Sequence, residues 1–102
     1  MSEQELNELK LKIAPVASQY GVESVYLFGS RARGDADENS DYDFYVKRGK
    51  LRGLFAFSGL FSELKNVLKK EVDIVLEPIG RRKLDDYILK AIMKDGVLVY
   101  GH

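Results

Sequence analysis

Two aspartates, Asp41 and Asp43, follow a Gly29-Ser30 pair after ten intervening residues. In an extended strand, residues i and i+2 point to the same face, with their Cα atoms about 6.5–7 Å apart. Carboxylates at that spacing can share one divalent ion or bracket two ions about 3.5–4 Å apart. Mg²⁺ takes one or two protein carboxylates and completes its shell with phosphate oxygens and water. The turn and the pair together predict metal-dependent chemistry on a nucleoside triphosphate. For the pair alone, solvation of the outer face of a strand is the simpler interpretation.

A third aspartate, Asp73, lies in a second segment of alternating polarity. Val72, Ile74 and Leu76 form the apolar face of that segment, which places Asp73 on the opposite face. Aspartate is disfavoured in strands, so solvation alone is a poor explanation for three of them on matching faces. We therefore predict that Asp73 is the third carboxylate, able to bind a second metal ion or to accept the proton of an attacking hydroxyl.

The Gly29-Ser30 pair ends an apolar segment and precedes a short helix predicted over residues 31–33, with Ser30 as its N-cap. A helix N-terminus with unpaired backbone N–H groups and a hydroxyl is a ready anion site. For the pair alone, a plain serine cap is the simpler interpretation. The segment does not match the P-loop pattern. Arg33 is a candidate phosphate ligand.

Two roles are open for Arg31. Its guanidinium could clamp a phosphate, or it could pair with a nearby acid such as Asp43 or Glu71.

Acidic and amide side chains at alternate positions from 35 to 41 resemble the start of an EF-hand calcium loop. That loop requires glycine at its sixth position and a bidentate glutamate at its twelfth. The chain has Ser40 and Val46 there, and residues 41–47 alternate like a strand instead of forming an exiting helix. The calcium-loop interpretation is therefore rejected.

Periodicity predicts the elements that must position these residues. Helices are predicted over residues 3–20, 31–33, 51–70 and 84–92, and strands over 22–28, 41–47, 71–77 and 97–100. Pro15 should end or kink the first helix. The segment 22–28 is apolar on both faces, which is typical of a central strand. This order predicts an α+β (α/β) fold with a small mixed β-sheet and helices mainly on one face.

Composition limits the possible partners and compartment. The chain has 102 residues, which we expect to form a single domain over residues 1–102, with 16 basic and 16 acidic side chains. No bulk charge attracts nucleic acid or a membrane surface. There is no cysteine, and the one histidine, His102, is the last residue, which argues against thiol or histidine chemistry. Without an apolar signal segment or a membrane-spanning run, we expect a cytoplasmic protein.

Together, Gly29-Ser30, ten residues and Asp41-x-Asp43 resemble the G-S-x10-D-x-D signature of the DNA polymerase beta-like nucleotidyltransferases. The fuller string Gly-Ser-Arg-Ala-Arg-Gly…Ser-Asp-Tyr-Asp is similar to that of their small branch, the minimal nucleotidyltransferases (MNT), and the resemblance covers essentially the whole chain. It implies a palm-like fold in which Gly29 and Ser30 hold the triphosphate of ATP. Asp41, Asp43 and Asp73 would bind two Mg²⁺ ions, and a hydroxyl would attack the α-phosphate and release pyrophosphate.

The resemblance also implies partners. Small members of this family often accompany an HEPN-type toxin and act as antitoxins, some by adenylylating one of its tyrosines. A domain of this size has little room for an acceptor pocket, so we expect the acceptor site to come from a second chain, either that partner or another copy in a homo-oligomer. Two alternatives are an antitoxin with an idle site that neutralises its partner by occlusion, and a small-molecule transferase of the aminoglycoside-modifying kind.

Overall fold

The computed structural model describes every residue from Met1 to His102. Its elements, in chain order, are α1 (Glu3–Gln19), β1 (Ser24–Phe28), α2 (Ser30–Arg33), β2 (Tyr42–Lys47), α3 (Leu54–Leu68), β3 (Val72–Leu76), α4 (Asp86–Asp95) and β4 (Val97–Gly101). The predicted order of helices and strands is confirmed, with boundaries shifted by a few residues. None of the helices is long and apolar enough to cross a membrane.

The four strands form one mixed sheet in the order β3-β2-β1-β4. β1 pairs antiparallel with both β2 and β4, so the prediction of a central first strand is confirmed. β2 and β3 pair in parallel, and α3 makes the crossover between them. Such a crossover requires a connection of a dozen or more residues, usually a helix, which the α3 segment supplies.

The core lies between the sheet and the helices α1 and α3. Buried leucine, isoleucine, valine and alanine side chains of both helices pack against buried side chains of the strands, among them Val25, Leu27, Phe44 and Val46. α4 contributes no fully buried residue. The predicted fold class, a small mixed sheet with its main helices on one face, is confirmed.

The structure confirms the span of the first helix and corrects the start of the third. Pro15 lies inside α1, which continues to Gln19, so it does not end the helix, and the predicted span of residues 3–20 holds to within a residue. Ile13 and Val16, on either side of it, are buried, and this packing stabilises the helix across the missing hydrogen bond. α3 begins at Leu54 instead of residue 51, because Gly53 has a φ of 84°, outside the helical region.

Candidate active site

The three predicted carboxylates lie at the same end of β2 and β3. Phe44 and Val46 are fully buried, so the alternation of β2 directs Asp43 to the opposite face of the sheet. In the parallel pair, Asp43 is the register partner of Asp73 on β3. Asp41 is exposed and comes one residue before β2 begins. The sheet register therefore brings together side chains that are about thirty residues apart in the chain.

Asp43 is the most strongly perturbed of these carboxyls. Partial burial raises its pKa above the ordinary value, and the negative charges of Asp73 and then Asp41 raise it further. A hydrogen bond to Asp73 acts in the same direction, and the positive charge of Arg33 opposes it. The ionised form of Asp43 is thus held in an unfavourable environment, which a cation at this position would relieve.

The raised pKa of Asp43 predicts how the stability of the metal-free protein depends on pH. The folded state binds this proton more tightly than the unfolded state, where the ordinary pKa is 3.8. The contribution of Asp43 to the free energy of unfolding should therefore fall as the pH rises from 3.8 through the raised pKa of the folded state. Urea unfolding with a chelator should show Asp43→Asn gaining stability over the wild type with rising pH. A stability difference between the two proteins that does not depend on pH would contradict this prediction. Added Mg²⁺ should reduce the advantage of the variant, because it binds the wild-type carboxylate.

The Gly29 turn packs directly against Asp43. Phe28, the last residue of β1, is the register partner of Asp43, and Gly29 follows it with φ 78° and ψ −157°. A Cβ on Gly29 would overlap Oδ2 of Asp43 and lie 3.2 Å from its Cγ. Only glycine therefore allows the backbone of the turn to approach this carboxylate so closely.

Ser30 is the first residue of α2 rather than its cap. The N-cap position belongs to Gly29, which has no side chain to accept a hydrogen bond, so the prediction that Ser30 caps the helix is wrong. Because Gly29 occupies the N-cap position, with a positive φ, the Ser30 hydroxyl does not cap the helix and lies at its N-terminus.

Arg33 and Arg31 have separate partners. Arg33 Nε lies 2.9 Å from Asp35 Oδ2 and its Nη1 lies 3.4 Å from Asp95 Oδ2. The hydrogen bond to Asp35, followed by the one to Asp95, raises the pKa of Arg33. The positive charge of Arg33 also acts on Asp43, where it partly offsets the rise in the pKa of that carboxyl.

Arg31 contacts neither of its two predicted acidic partners. Its guanidinium donates to the backbone carbonyl of Ser40 through Nε at 3.0 Å and Nη2 at 2.7 Å. Glu71 instead pairs with Lys65 at 3.2 Å. The alternative in which Arg31 pairs with Asp43 or Glu71 is therefore wrong. A contact between an arginine and a backbone carbonyl cannot be predicted from the sequence, because every residue has a backbone carbonyl.

The donor set suits a metal that shares its shell with a substrate. No group of three or more His, Cys, Asp or Glu side chains is arranged to hold a metal ion by itself. Mg²⁺ does not require such a cage, since it commonly binds one or two carboxylates together with phosphate oxygens and water. Exposed Asp41 beside half-buried Asp43 offers this pair of ligands. Asp41 and Asp73 are exposed and Asp43 is half-buried, so the three carboxylates lie at the surface of the domain.

Comparisons with known proteins show the family of this chain. Residues 11–102 match the family model described as polymerase beta, nucleotidyltransferase. A Methanocaldococcus jannaschii protein, provisionally named a protein adenylyltransferase, is 41% identical over 84 residues, which cover 82% of this chain and 90% of the relative. The protein adenylyltransferase MntA of Thermococcus cleftensis is 32% identical over 81 residues, covering 79% of this chain and 78% of that protein.

Solved structures share the fold. A toxin–antitoxin structure with AMP-PNP superposes with a TM-score of 0.72 at 24% identity, covering 91% of this chain and 73% of that one. A structure provisionally described as a minimal nucleotidyltransferase has a TM-score of 0.71 at 28% identity and covers 95% of both chains. A tri-AMPylated Shewanella oneidensis HEPN toxin in complex with MNT antitoxin gives 0.67 at 20% identity, covering 95% of this chain and 73% of that one.

Proposed function

Because this chain belongs to the polymerase beta family of nucleotidyltransferases, we propose that it transfers AMP from ATP to a hydroxyl of a partner protein. The proposed acceptor is a tyrosine of an HEPN-type toxin, which the chain would neutralise as an antitoxin in the cytoplasm. Relatives named as protein adenylyltransferases support the reaction class. The shared fold with MNT chains found alongside HEPN toxins supports the kind of partner.

The observation that carries this proposal is the pairing of Asp43 with Asp73 across two parallel strands, with Asp41 beside them. Gly29 and Ser30, at the start of α2, would hold the triphosphate through backbone N–H groups and the free hydroxyl. Arg33 would lie close enough to add positive charge. Asp41 and Asp43 would hold Mg²⁺, and Asp73 would complete the carboxylate set.

In the proposed step, the acceptor oxygen attacks the α-phosphorus of ATP in line with the leaving group. The bond from that phosphorus to the oxygen bridging the α- and β-phosphates breaks, and pyrophosphate departs with the bonding electrons. Asp73 accepts the proton of the attacking hydroxyl. When bound, Mg²⁺ supplies electrostatic stabilisation of the charge on the transferring phosphoryl group. The protein otherwise contributes positioning of the reactants, which lowers the entropic part of the barrier.

The position of the carboxylates at the surface supports transfer of AMP to an acceptor on a second chain. The acceptor residue would then be presented by the partner instead of being enclosed in a pocket. The direct test is to incubate the chain with Mg²⁺, ATP labelled at the α-phosphate and an HEPN-type protein. We expect the label on a tyrosine of that protein, identified by mass spectrometry, and loss of the transfer with EDTA.

Three other results would redirect the proposal. Neutralisation of the toxin by Asp41→Asn as effectively as by the wild type, with no label transferred by either, would support an occluding antitoxin. Label on an aminoglycoside-type small molecule would support a small-molecule transferase. Label on the chain itself, without any partner, would indicate a second copy as acceptor.

A further inference from the structure

Arg31 holds the backbone immediately before Asp41. We propose that it is a positioning residue for Asp41, which fixes the approach of the 34–41 loop so that this carboxylate is preorganised for a divalent metal. The inference rests on the proposed function, because it assigns Asp41 to metal binding. It concerns a residue that contacts neither metal nor nucleotide in the scheme above.

The contact is made by one side chain on two carbonyls of the loop. Nε and Nη2 of Arg31 both donate to the carbonyl oxygen of Ser40, at 3.0 and 2.7 Å. Nη2 also reaches the carbonyl of Asp37 at 3.4 Å. Hydrogen bonds from a charged donor are shorter and stronger than neutral ones. Because the planar guanidinium directs both donors at one oxygen, it fixes the direction of the Ser40 carbonyl as well as its distance.

Arg31 is itself anchored to the core. Its guanidinium carbon lies 4.1 Å from the ring centroid of Tyr42, a cation–π arrangement. The Tyr42 ring stacks on Phe44, with centroids 5.7 Å apart and planes within 6° of each other. Phe44 is fully buried. A continuous series of contacts therefore runs from the core through Tyr42 to the guanidinium and on to the loop.

Asp41 is consequently held from both sides through its neighbours. On one side the Ser40 carbonyl accepts from Arg31, and on the other the Tyr42 N–H donates to the Glu71 carbonyl at 3.0 Å. The loop also closes on itself, since the Asn39 N–H donates to Asp37 Oδ1 at 2.8 Å. The Asp41 residue is exposed and remains available to a ligand. Its position is thus set by the backbone rather than by partners of its own carboxylate.

Position in the chain gives this contact a second consequence. Arg31 belongs to α2, one residue after Ser30, so it joins the proposed triphosphate turn to the proposed metal ligand. Loss of the guanidinium should loosen residues 37–41 while leaving the Gly29-Ser30 turn in place. Removal of an outer-shell partner of a metal ligand typically costs about 10- to 100-fold in metal affinity or activity.

The test compares wild type, Arg31→Ala and Arg31→Lys in two measurements that need no acceptor. Amide hydrogen exchange of the metal-free chain should become faster at residues 39–42 in Arg31→Ala. Affinity for Mn²⁺, measured by electron paramagnetic resonance in the presence of a non-hydrolysable ATP analogue, should fall by about 10-fold. Arg31→Lys should give intermediate values, because an ammonium can donate to Ser40 but lacks the planar fork.

Arg52 offers a matched control. It also binds backbone carbonyls of a loop, those of Gly49 and Leu51 at 2.9 and 2.8 Å, but beyond the other end of β2. Arg52→Ala should speed exchange around residues 49–52 only and leave Mn²⁺ affinity at the wild-type value. Thermal melting confirms that each variant is folded at the temperature of the assay.

Two results would overturn the inference: unchanged exchange at residues 39–42 in folded Arg31→Ala, or Mn²⁺ affinity within twofold of the wild type. In transfer assays, Arg31→Ala should raise the Mg²⁺ concentration needed for half-maximal rate, with much of the maximal rate recovered at high Mg²⁺. A merely structural role would not be rescued by metal. Absence of transfer by the wild type with every acceptor would refute the proposed reaction, whereas the exchange and Mn²⁺ measurements would still test Arg31.

Discussion

Asp43→Asn is expected to lower the rate of AMP transfer by about 1,000-fold or more. The carboxylate is the half-buried member of the acidic group, between Asp41 in the chain and Asp73 on the neighbouring strand. An amide of the same shape keeps the packing but removes the negative charge that would bind the metal. A 1,000-fold loss corresponds to about 4 kcal/mol of transition-state stabilisation, within the several kcal/mol that metal ions provide in such reactions. Initial rates with saturating ATP, Mg²⁺ and partner would measure it.

The same substitution should not unfold the protein. Burial and the charges of Asp73 and Asp41 disfavour ionised Asp43, so its neutral replacement should leave the metal-free chain at least as stable as the wild type at neutral pH. Asp86→Asn, an exposed change in the first turn of α4, is the matched control. It should leave the transfer rate unchanged and lower the stability only slightly, because a carboxylate there interacts favourably with the helix dipole. Near wild-type transfer by Asp43→Asn would refute the metal role of this carboxylate.

Much of this site was predictable because it depends on local patterns. Alternation in β2 places Phe44 and Val46 in the core, and the same alternation puts Asp43 on the other face. The corresponding pattern in β3 buries Val72 and exposes Asp73. When every second side chain of a strand faces the core, the side chains between them must point to the opposite face of the sheet. Sequence therefore predicted which carboxylates share a face, without any knowledge of how the strands pair.

The remaining features depend on contacts between distant parts of the chain. The parallel register that pairs Asp43 with Asp73 is set by the α3 crossover and by the packing of the core. The approach of Asp95 to Arg33 joins residues 62 positions apart, and no local pattern indicates it. Pairing with an acid was one of two alternatives for Arg31, because charge pairing is a simple expectation for an arginine, whereas the acceptors that it contacts here are backbone carbonyls.

Gly29→Ala should reduce AMP transfer by about 100-fold, although the change adds a single methyl group. The backbone at Gly29, with φ 78° and ψ −157°, lies in a region that is essentially restricted to glycine, at a cost of about 1–3 kcal/mol for other residues. The added Cβ would also overlap Oδ2 of Asp43. Either the turn or the carboxylate must move, and a displacement of about 1 Å in a positioned group can cost about 100-fold in rate.

Gly53→Ala separates these two causes. Gly53 is also the N-cap of a helix, with a similar backbone conformation of φ 84° and ψ 164°, but a Cβ there would meet nothing within 4 Å. Both variants should lose free energy of unfolding, measured by urea denaturation, because both place alanine in the same disfavoured region. Gly29→Ala should lose more, because its methyl group also overlaps Asp43. Only Gly29→Ala should lose transfer activity, since only its methyl group reaches a carboxylate of the site. Equal activities in the two variants would mean that the close approach of Gly29 to Asp43 has no role in the reaction.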